Sequence, residues 1–405
     1  MKFFPWAFAL SSLLLVACAT PDGSESSADQ TTSESSSGVF SSSIESSSEF
    51  LEGSNVLFSE FYLGSSVGTR AVEISNYGTE DIDLSEYQIE IYHGNALEPE
   101  YRIPLPKKTL EPMGAFVVAY EGNAEPVEAD LLSKDLVCNG SWPLALIHNG
   151  QRVDTLGEIG NGQLFAEGVI RRKNERRTGR DRLFPYDWIH FDAMDASNLG
   201  NSVCPVSLER MNVGPLLTQE DFDTPYMDET GEKGLGGAVE VGLGSLGDGD
   251  TTTFVYPSEL SKFRGSSFRY QNIDTPEVQH GNSIQAQPWG YAAKYWNNDI
   301  LRSAKHIVIQ SVKGGYLTET FGRMLGYVWY TNKTNPEPED YRNLNFETVR
   351  EGYSKVAFSS VASDKMKSDG VSYYAYFRDA HYGAEEKGIK VHGEKDPSFS
   401  YGPSL

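Results

Sequence analysis

The 405-residue chain is short of cysteine, of basic side chains and of long apolar runs. Its three cysteines, Cys18, Cys138 and Cys204, leave room for one intramolecular bridge at most, so no dense disulfide framework holds the fold. Lysine and arginine total 34 against 57 acidic residues, for a net charge of −23. That balance argues against a nucleic-acid partner gripped by overall charge. The shortage is uneven: residues 241–390 carry equal numbers of basic and acidic side chains, and the acidic excess lies almost wholly before them. The exclusion therefore holds for the first half of the chain only. The one long apolar run, which ends near Leu15, has about fifteen apolar-leaning positions and is too short for a membrane span.

What is present begins with an address. Lys2 precedes the apolar run and small residues follow it up to Cys18, the layout of an export signal. Leu15-Val16-Ala17-Cys18 resembles the bacterial lipobox, which implies a signal peptide over residues 1–18, diacylation of Cys18 and a lipid-anchored, surface-exposed protein. Residues 19–53, rich in Ser and Glu, cannot bury a core and read as a disordered acidic tether. Disulfides persist in exported proteins, so a bridge between Cys138 and Cys204 is expected.

Residues 54–205 are a succession of short β-rich runs, among them NVLFSEFYL, RAVEISNY, EYQIEIYH and GAFVVAY, separated by Gly, Asn and Asp turns. Alternation in AVEIS and YQIEIY predicts half-buried strands, and their number predicts an all-β sandwich. The order of these runs, closed by DWIHFDAMDASNLGN, resembles a lamin-tail domain, which implies an immunoglobulin-like sandwich used as an attachment module. Within it RRKNERRTGR, residues 171–180, is the one strongly basic run. A solvated loop is its plain reading; contact with nucleic acid or an anionic surface polymer is the functional one. Residues 206–236, acidic and broken by Pro and Gly, read as a linker.

The texture changes over residues 237–395, and 396–405 form a tail. GAVEVGLGSLGDGDTTTFVY and SSFRYQNI read as three strands with Gly-Asp-Gly-Asp as a turn. WGYAAKYWNNDILRSA reads as a helix whose Tyr291, Tyr295 and Trp296 belong to the core. HIVIQSV and RMLGYVWY are further strands, and helices follow in NFETVREG and near 374–387. The order GDGDT, FRYQNIDTPE, WGYAAKYW, TETFGRMLGYVWY and ETVREGYSKVAF resembles the thermonuclease family of staphylococcal-nuclease-like domains. The resemblance implies an α+β, OB-type five-stranded barrel with three helices. Carried over by position, it implies calcium ligands at Asp250, Asp274 and the carbonyl of Thr275, a water-activating Glu277, and phosphate-binding arginines at Arg269 and Arg323. Phe321 and Phe358 stand where the family has tyrosines near the nucleotide, and Ser360 where a third is common, so hydrogen bonding to substrate is expected to be weaker.

The chemistry asks for these residue types. Phosphodiester hydrolysis needs a water nucleophile, a group to take its proton, and positive charge where negative charge builds in the transition state. A hard divalent cation on oxygen ligands supplies part of that charge, and the planar arginine fork matches phosphate oxygens. The plain reading of Arg269 and Arg323 is ordinary ion pairing with nearby carboxylates. The expectation adopted is a monomeric, surface-anchored, calcium-dependent nuclease acting on DNA and RNA and leaving 3′-phosphate ends. The competing expectation is a non-catalytic nucleic-acid-binding or adhesion module.

Overall fold

Runs rich in Val, Ile and aromatic residues favour pleated, half-buried backbone. In the first region they form β1 (Val56–Leu63), β2 (Arg70–Asn76), β3 (Tyr87–Ile91), β4 (Tyr101–Pro104), β5 (Ala115–Tyr120), β6 (Leu131–Ser133), β7 (Leu144–His148), β8 (Gln151–Leu156), β9 (Gly168–Arg172) and β10 (Trp188–Phe191). The computed structural model describes residues 49–64, 68–162, 168–191, 196–279, 285–357 and 365–395. Cys18, the tether through residue 48, Phe358, Ser360 and the tail lie outside them. The strands make one sheet of order β10-β9-β1-β2-β5-β6 and another of order β8-β7-β3-β4. Phe58, Ile74 and Phe116 of the first share a buried cluster with Ile89 and Leu146 of the second.

The strand containing AVEIS is not half-buried. β2 is buried on both faces from Ala71 to Asn76. The face turned away from the four-stranded sheet is covered, because Tyr62, Val117, Val169 and Phe191 join a second cluster with Val206, Met211, Leu217 and Tyr226 of the connecting stretch and with Phe346 and Tyr376 of the second region. Residues 206–236 are thus no open linker. They carry α1 (Leu208–Val213) and α2 (Gln219–Asp223), whose first turns are capped by the Ser207 and Thr218 side chains.

The two sheets also overturn the bridge expected between Cys138 and Cys204. Both thiols are free and buried. Cys138 sits in the cluster between the sheets and Cys204 in the cluster on the outer face of the six-stranded sheet, so the sheet itself separates them. Burial pushes the Cys138 thiol up to about 12 and that of Cys204 up to about 11.

Neither reading of the basic run 171–180 holds for its first three cations. The run begins inside β9, so its cations point into packed surfaces and meet acids there. Arg171 Nε bonds Glu60 Oε2 at 2.9 Å and Arg172 Nη2 bonds Asp154 Oδ2 at 2.7 Å. Lys173 pairs with Asp379 of the second region, and all three cations are buried. Further along, Arg176 reaches Glu386 at 3.0 Å and Arg180 reaches Asp187 at 2.9 Å. The run fastens the two regions together.

The second region contains β11 (Ala238–Leu246), β12 (Thr251–Val255), β13 (Ser267–Tyr270), β14 (Ile273–Asp274), α3 (Gly290–Ser303), β15 (His306–Gln310), β16 (Met324–Thr331), α4 (Leu344–Arg350), β17 (Lys355–Val356) and α5 (Tyr373–Glu386). Five strands run in the order β13-β12-β11-β15-β16, and a parallel pairing of β13 with β16 closes them into a barrel. The helix α3 departs from expectation in part. Trp296, Ile300 and Leu301 pack on the core beside buried Ala293 and Asn297, while Tyr291 and Tyr295 are exposed. Among the described residues no helix is long and apolar enough to cross a membrane.

Candidate active site

The site is built where one strand breaks. β13 ends at Tyr270 because Asn272 adopts a left-handed backbone, φ 62°, which asparagine tolerates better than most residues. Its carbonyl Oδ1 accepts the Tyr327 hydroxyl at 2.7 Å, fixing the bend. The chain resumes as the two-residue β14, paired with β17 in the register Ile273↔Val356 and Asp274↔Lys355. The Asp274 N–H donates to Ser354 Oγ at 2.9 Å. Pro276 then offers no N–H to continue the ladder.

Across the barrel wall, Arg269 of β13 lies opposite Thr251 of β12, one residue after the Gly-Asp-Gly-Asp turn. This brings Asp250, Arg269, Asp274 and Thr275 together. The guanidinium pairs with Asp250 through one nitrogen and with Asp274 Oδ1 through the other, at 2.6 Å. Asp250 Oδ2 also accepts the Thr275 N–H at 2.7 Å and its hydroxyl at 3.0 Å. Asp250 is buried, whereas the Asp274 side chain is 52% exposed. Burial pushes both carboxyls up; Arg269 pulls both back, Asp248 adds to the rise at Asp250, and Asp250 adds to that at Asp274. Burial works against the Arg269 charge, but Asp250 and then Asp274 hold it protonated.

Two glycines allow this closeness. A Cβ at Gly249 would stand 2.8 Å from Thr275 Oγ1. One at Gly290 would stand 2.3 Å from the Glu277 carbonyl, so the start of α3 packs on the backbone of Glu277. Glu277 is held there from the other side as well: its N–H donates to Gln287 Oε1 at 2.9 Å and its carbonyl accepts from Gln287 N at 2.8 Å.

Arg323 immediately precedes β16, two positions before Leu325, the register partner of Arg269. Its guanidinium bonds Glu319 Oε1 at 3.0 Å rather than either aspartate. Phe321 beside it is 84% exposed, a bare ring with Arg323 5.9 Å from its centroid. The sequence reading missed three supporting residues. Asp248, inside the quoted Gly-Asp-Gly-Asp turn, adds negative charge at Asp250 and Arg269. Asn297 donates to the Gly249 carbonyl at 2.9 Å and so ties that turn to α3. Ser354 positions Asp274; nothing in its sequence context signals it.

Two carboxylates and a backbone carbonyl are hard oxygen donors, the set that fits a hard divalent cation. The Asp250 and Asp274 carboxylates converge on Arg269, Thr275 bonds Asp250 through its N–H and hydroxyl, and Asp274 is open to solvent, so the donor chemistry of these residues fits such an ion.

Residues 267–381 match the sequence model of the family described as staphylococcal nuclease homologue. This part of the chain, which holds Arg269, Asp274, Thr275, Glu277 and Arg323, is similar to that family; Asp250 lies before it. No curated protein matches the chain.

Proposed function

We propose that the chain is a nuclease that hydrolyses phosphodiester bonds of DNA and RNA with calcium, leaving 3′-phosphate ends. The observation that carries this reading is Arg269 held between a buried Asp250 and a half-exposed Asp274, inside the stretch similar to staphylococcal nuclease. Asp250, Asp274 and the Thr275 carbonyl hold the ion, which lends positive charge to the phosphate when bound. Arg269 exchanges one of its aspartate partners for a phosphate oxygen at the floor of the site. Arg323 exchanges Glu319 for a second oxygen, a trade favoured by the greater charge of a phosphate in its transition state. A Glu277 carboxylate oxygen takes the proton of the attacking water. Tyr291 and Tyr295, exposed and stacked at 6.1 Å near the start of α3, offer faces on which unpaired bases can stack.

In the same reading, Cys18 carries a lipid anchor, residues 19–53 act as a tether, and residues 54–205 serve as a lamin-tail-like attachment module at the cell surface. The buried Lys173–Asp379 pair supports the two regions acting as one body, and the chain acts as a monomer in this reading. The test is degradation of plasmid DNA and of RNA by the full chain with calcium or with a chelator. Cutting only with calcium supports the proposal; binding without cutting at any calcium concentration replaces it with the binding-module reading.

A further inference from the structure

Three side chains near the C-terminal end of the described chain stand together with no part in the site above. His381 and Glu385 are four residues apart on α5, hence one turn apart on one face. His392 lies in a short 3-10 turn, Lys390–His392, that follows the helix. One ligand atom from each of the three lies within 4.8 Å of the other two. The imidazoles meet edge to face with centroids 4.6 Å apart. A second observation points to a ligand: His392 Nε2 is buried and has no hydrogen-bond partner. A buried nitrogen without a partner is costly unless something fills the place.

We infer that His381, Glu385 and His392 form a binding site for a transition-metal dication of the zinc class, distinct from the carboxylate site. Two imidazoles and one carboxylate are borderline ligands that suit zinc rather than calcium. With metal–ligand distances of about 2.0–2.2 Å, tetrahedral donors stand roughly 3.3 Å apart, so the present spacing closes on an ion with side-chain shifts alone. Glu385 is exposed, which leaves the fourth position to water. Lys355 bears on both histidines and Arg378 on His381, and their charge works against a second cation; Glu385 offsets part of it. Burial, then His392, Lys355 and Arg378 hold His381 down at about 4, so its ring is neutral at neutral pH.

The site would clamp the strand behind the catalytic carboxylate. His381 Nδ1 accepts the Val356 N–H at 3.3 Å, a long contact that ligation can displace. Val356 and Lys355 form β17, the partner of Ile273 and Asp274, and Ser354 receives the Asp274 N–H. An ion joining α5 to the turn at His392 therefore fastens both around the strand that holds β14.

The experiment uses the full chain, stripped with chelator and titrated with zinc alone. Calorimetry and thermal melting are run on the unsubstituted chain and on Glu385→Ala, His392→Ala and Asp274→Asn. One equivalent of zinc with a rise in Tm is expected for the unsubstituted chain and for Asp274→Asn, with affinity weakened at least about tenfold in Glu385→Ala and His392→Ala. Cobalt in place of zinc should give visible absorption from a nitrogen-ligated, low-coordinate ion, lost in the same two variants. Glu385 is exposed, so its variant decides the matter if His392→Ala does not fold. Absence of zinc uptake by the unsubstituted chain, or uptake unchanged in Glu385→Ala, overturns the inference; neither result depends on nuclease activity.

Discussion

Arg172 and Arg269 are both strand arginines, both buried and both paired with aspartate, yet their surroundings differ in one respect. Asp154, the partner of Arg172, is fully enclosed and also accepts the N–H groups of Phe58 and Arg180 at 2.9 and 2.8 Å. Arg172 Nε is spent on the Phe58 carbonyl at 2.8 Å. That network is closed: every strong partner is protein, and no solute can enter without breaking it. Arg269 instead shares two aspartates, one of which faces solvent. A buried ion pair is weak evidence of stabilisation and can be a device for orientation. The difference teaches that a buried charge pair can be closed or open, and that only the open one leaves a carboxylate facing solvent.

The largest effect that separates the clusters is expected at Glu277. Glu277→Gln keeps size and removes the oxygen to which the proposal assigns the water's proton, so DNA turnover should fall by about 10²–10⁴-fold. Wild-type turnover by the folded variant would end the role assigned to Glu277.

Arg172→Met is the converse. It strands Asp154 in the core, and removing one member of a buried pair costs about 3–5 kcal/mol. Urea unfolding of the full chain measures this, while turnover per folded molecule should stay near that of the parent. A loss below about 1 kcal/mol would show that the closed network is not needed for stability.

Asn297→Ala probes the link between the barrel and the open cluster. It removes the bond to the Gly249 carbonyl, leaving a buried acceptor unmatched at about 1–3 kcal/mol. Because that carbonyl belongs to the turn carrying Asp250, the calcium concentration for half-maximal turnover should rise as well. An unchanged calcium requirement would mean that Asp250 is placed without α3.

Much of this was legible in the sequence, and the failures have physical causes. Strand runs such as HIVIQ and the acid-ended RYQNIDTPE carry their own signals, in β-branched residues and in Pro276. The helix α3 was legible as a helix, but its buried face includes Asn297, a polar residue turned inward by bonds to the Gly249 carbonyl and from the Tyr270 hydroxyl, which apolar periodicity cannot find. The run 171–180 looked solvated because its acidic partners Glu60, Asp154 and Asp379 are remote in sequence. For the same reason the pairing of Arg323 with Glu319, only four residues away, was the more readable of the two arginine environments.

Glu73 gives the smallest and most discriminating test, because it belongs to the closed side yet is neutralised differently. The sequence placed it on the exposed side of an alternating strand; it is fully buried, accepting Ser59 Oγ at 2.5 Å and the Gly200 N–H at 2.7 Å. Burial pushes its carboxyl up to about 7, against the Ser59 bond and with a further push from Glu60. The folded chain thus keeps a proton that the unfolded chain releases near its ordinary value of 4.5. The stability linked to it is fully present below that value and is lost as the pH rises through about 7. His190 has the opposite sign: burial, then Arg378, hold it down at about 4, so its contribution is present above about 6.5 and is lost as the pH falls through about 4. In the unsubstituted chain the two slopes offset each other, and only a difference isolates Glu73. Between pH 5 and 7, Glu73→Gln should gain on its parent by about 1 kcal/mol per pH unit, measured by urea unfolding at each pH. The mismatch of its new amide with the Gly200 N–H shifts the variant's curve by a constant and leaves that slope untouched. Parallel curves would show that Glu73 is ionised in the folded protein, and the closed cluster would then hold an anion with no cation of its own.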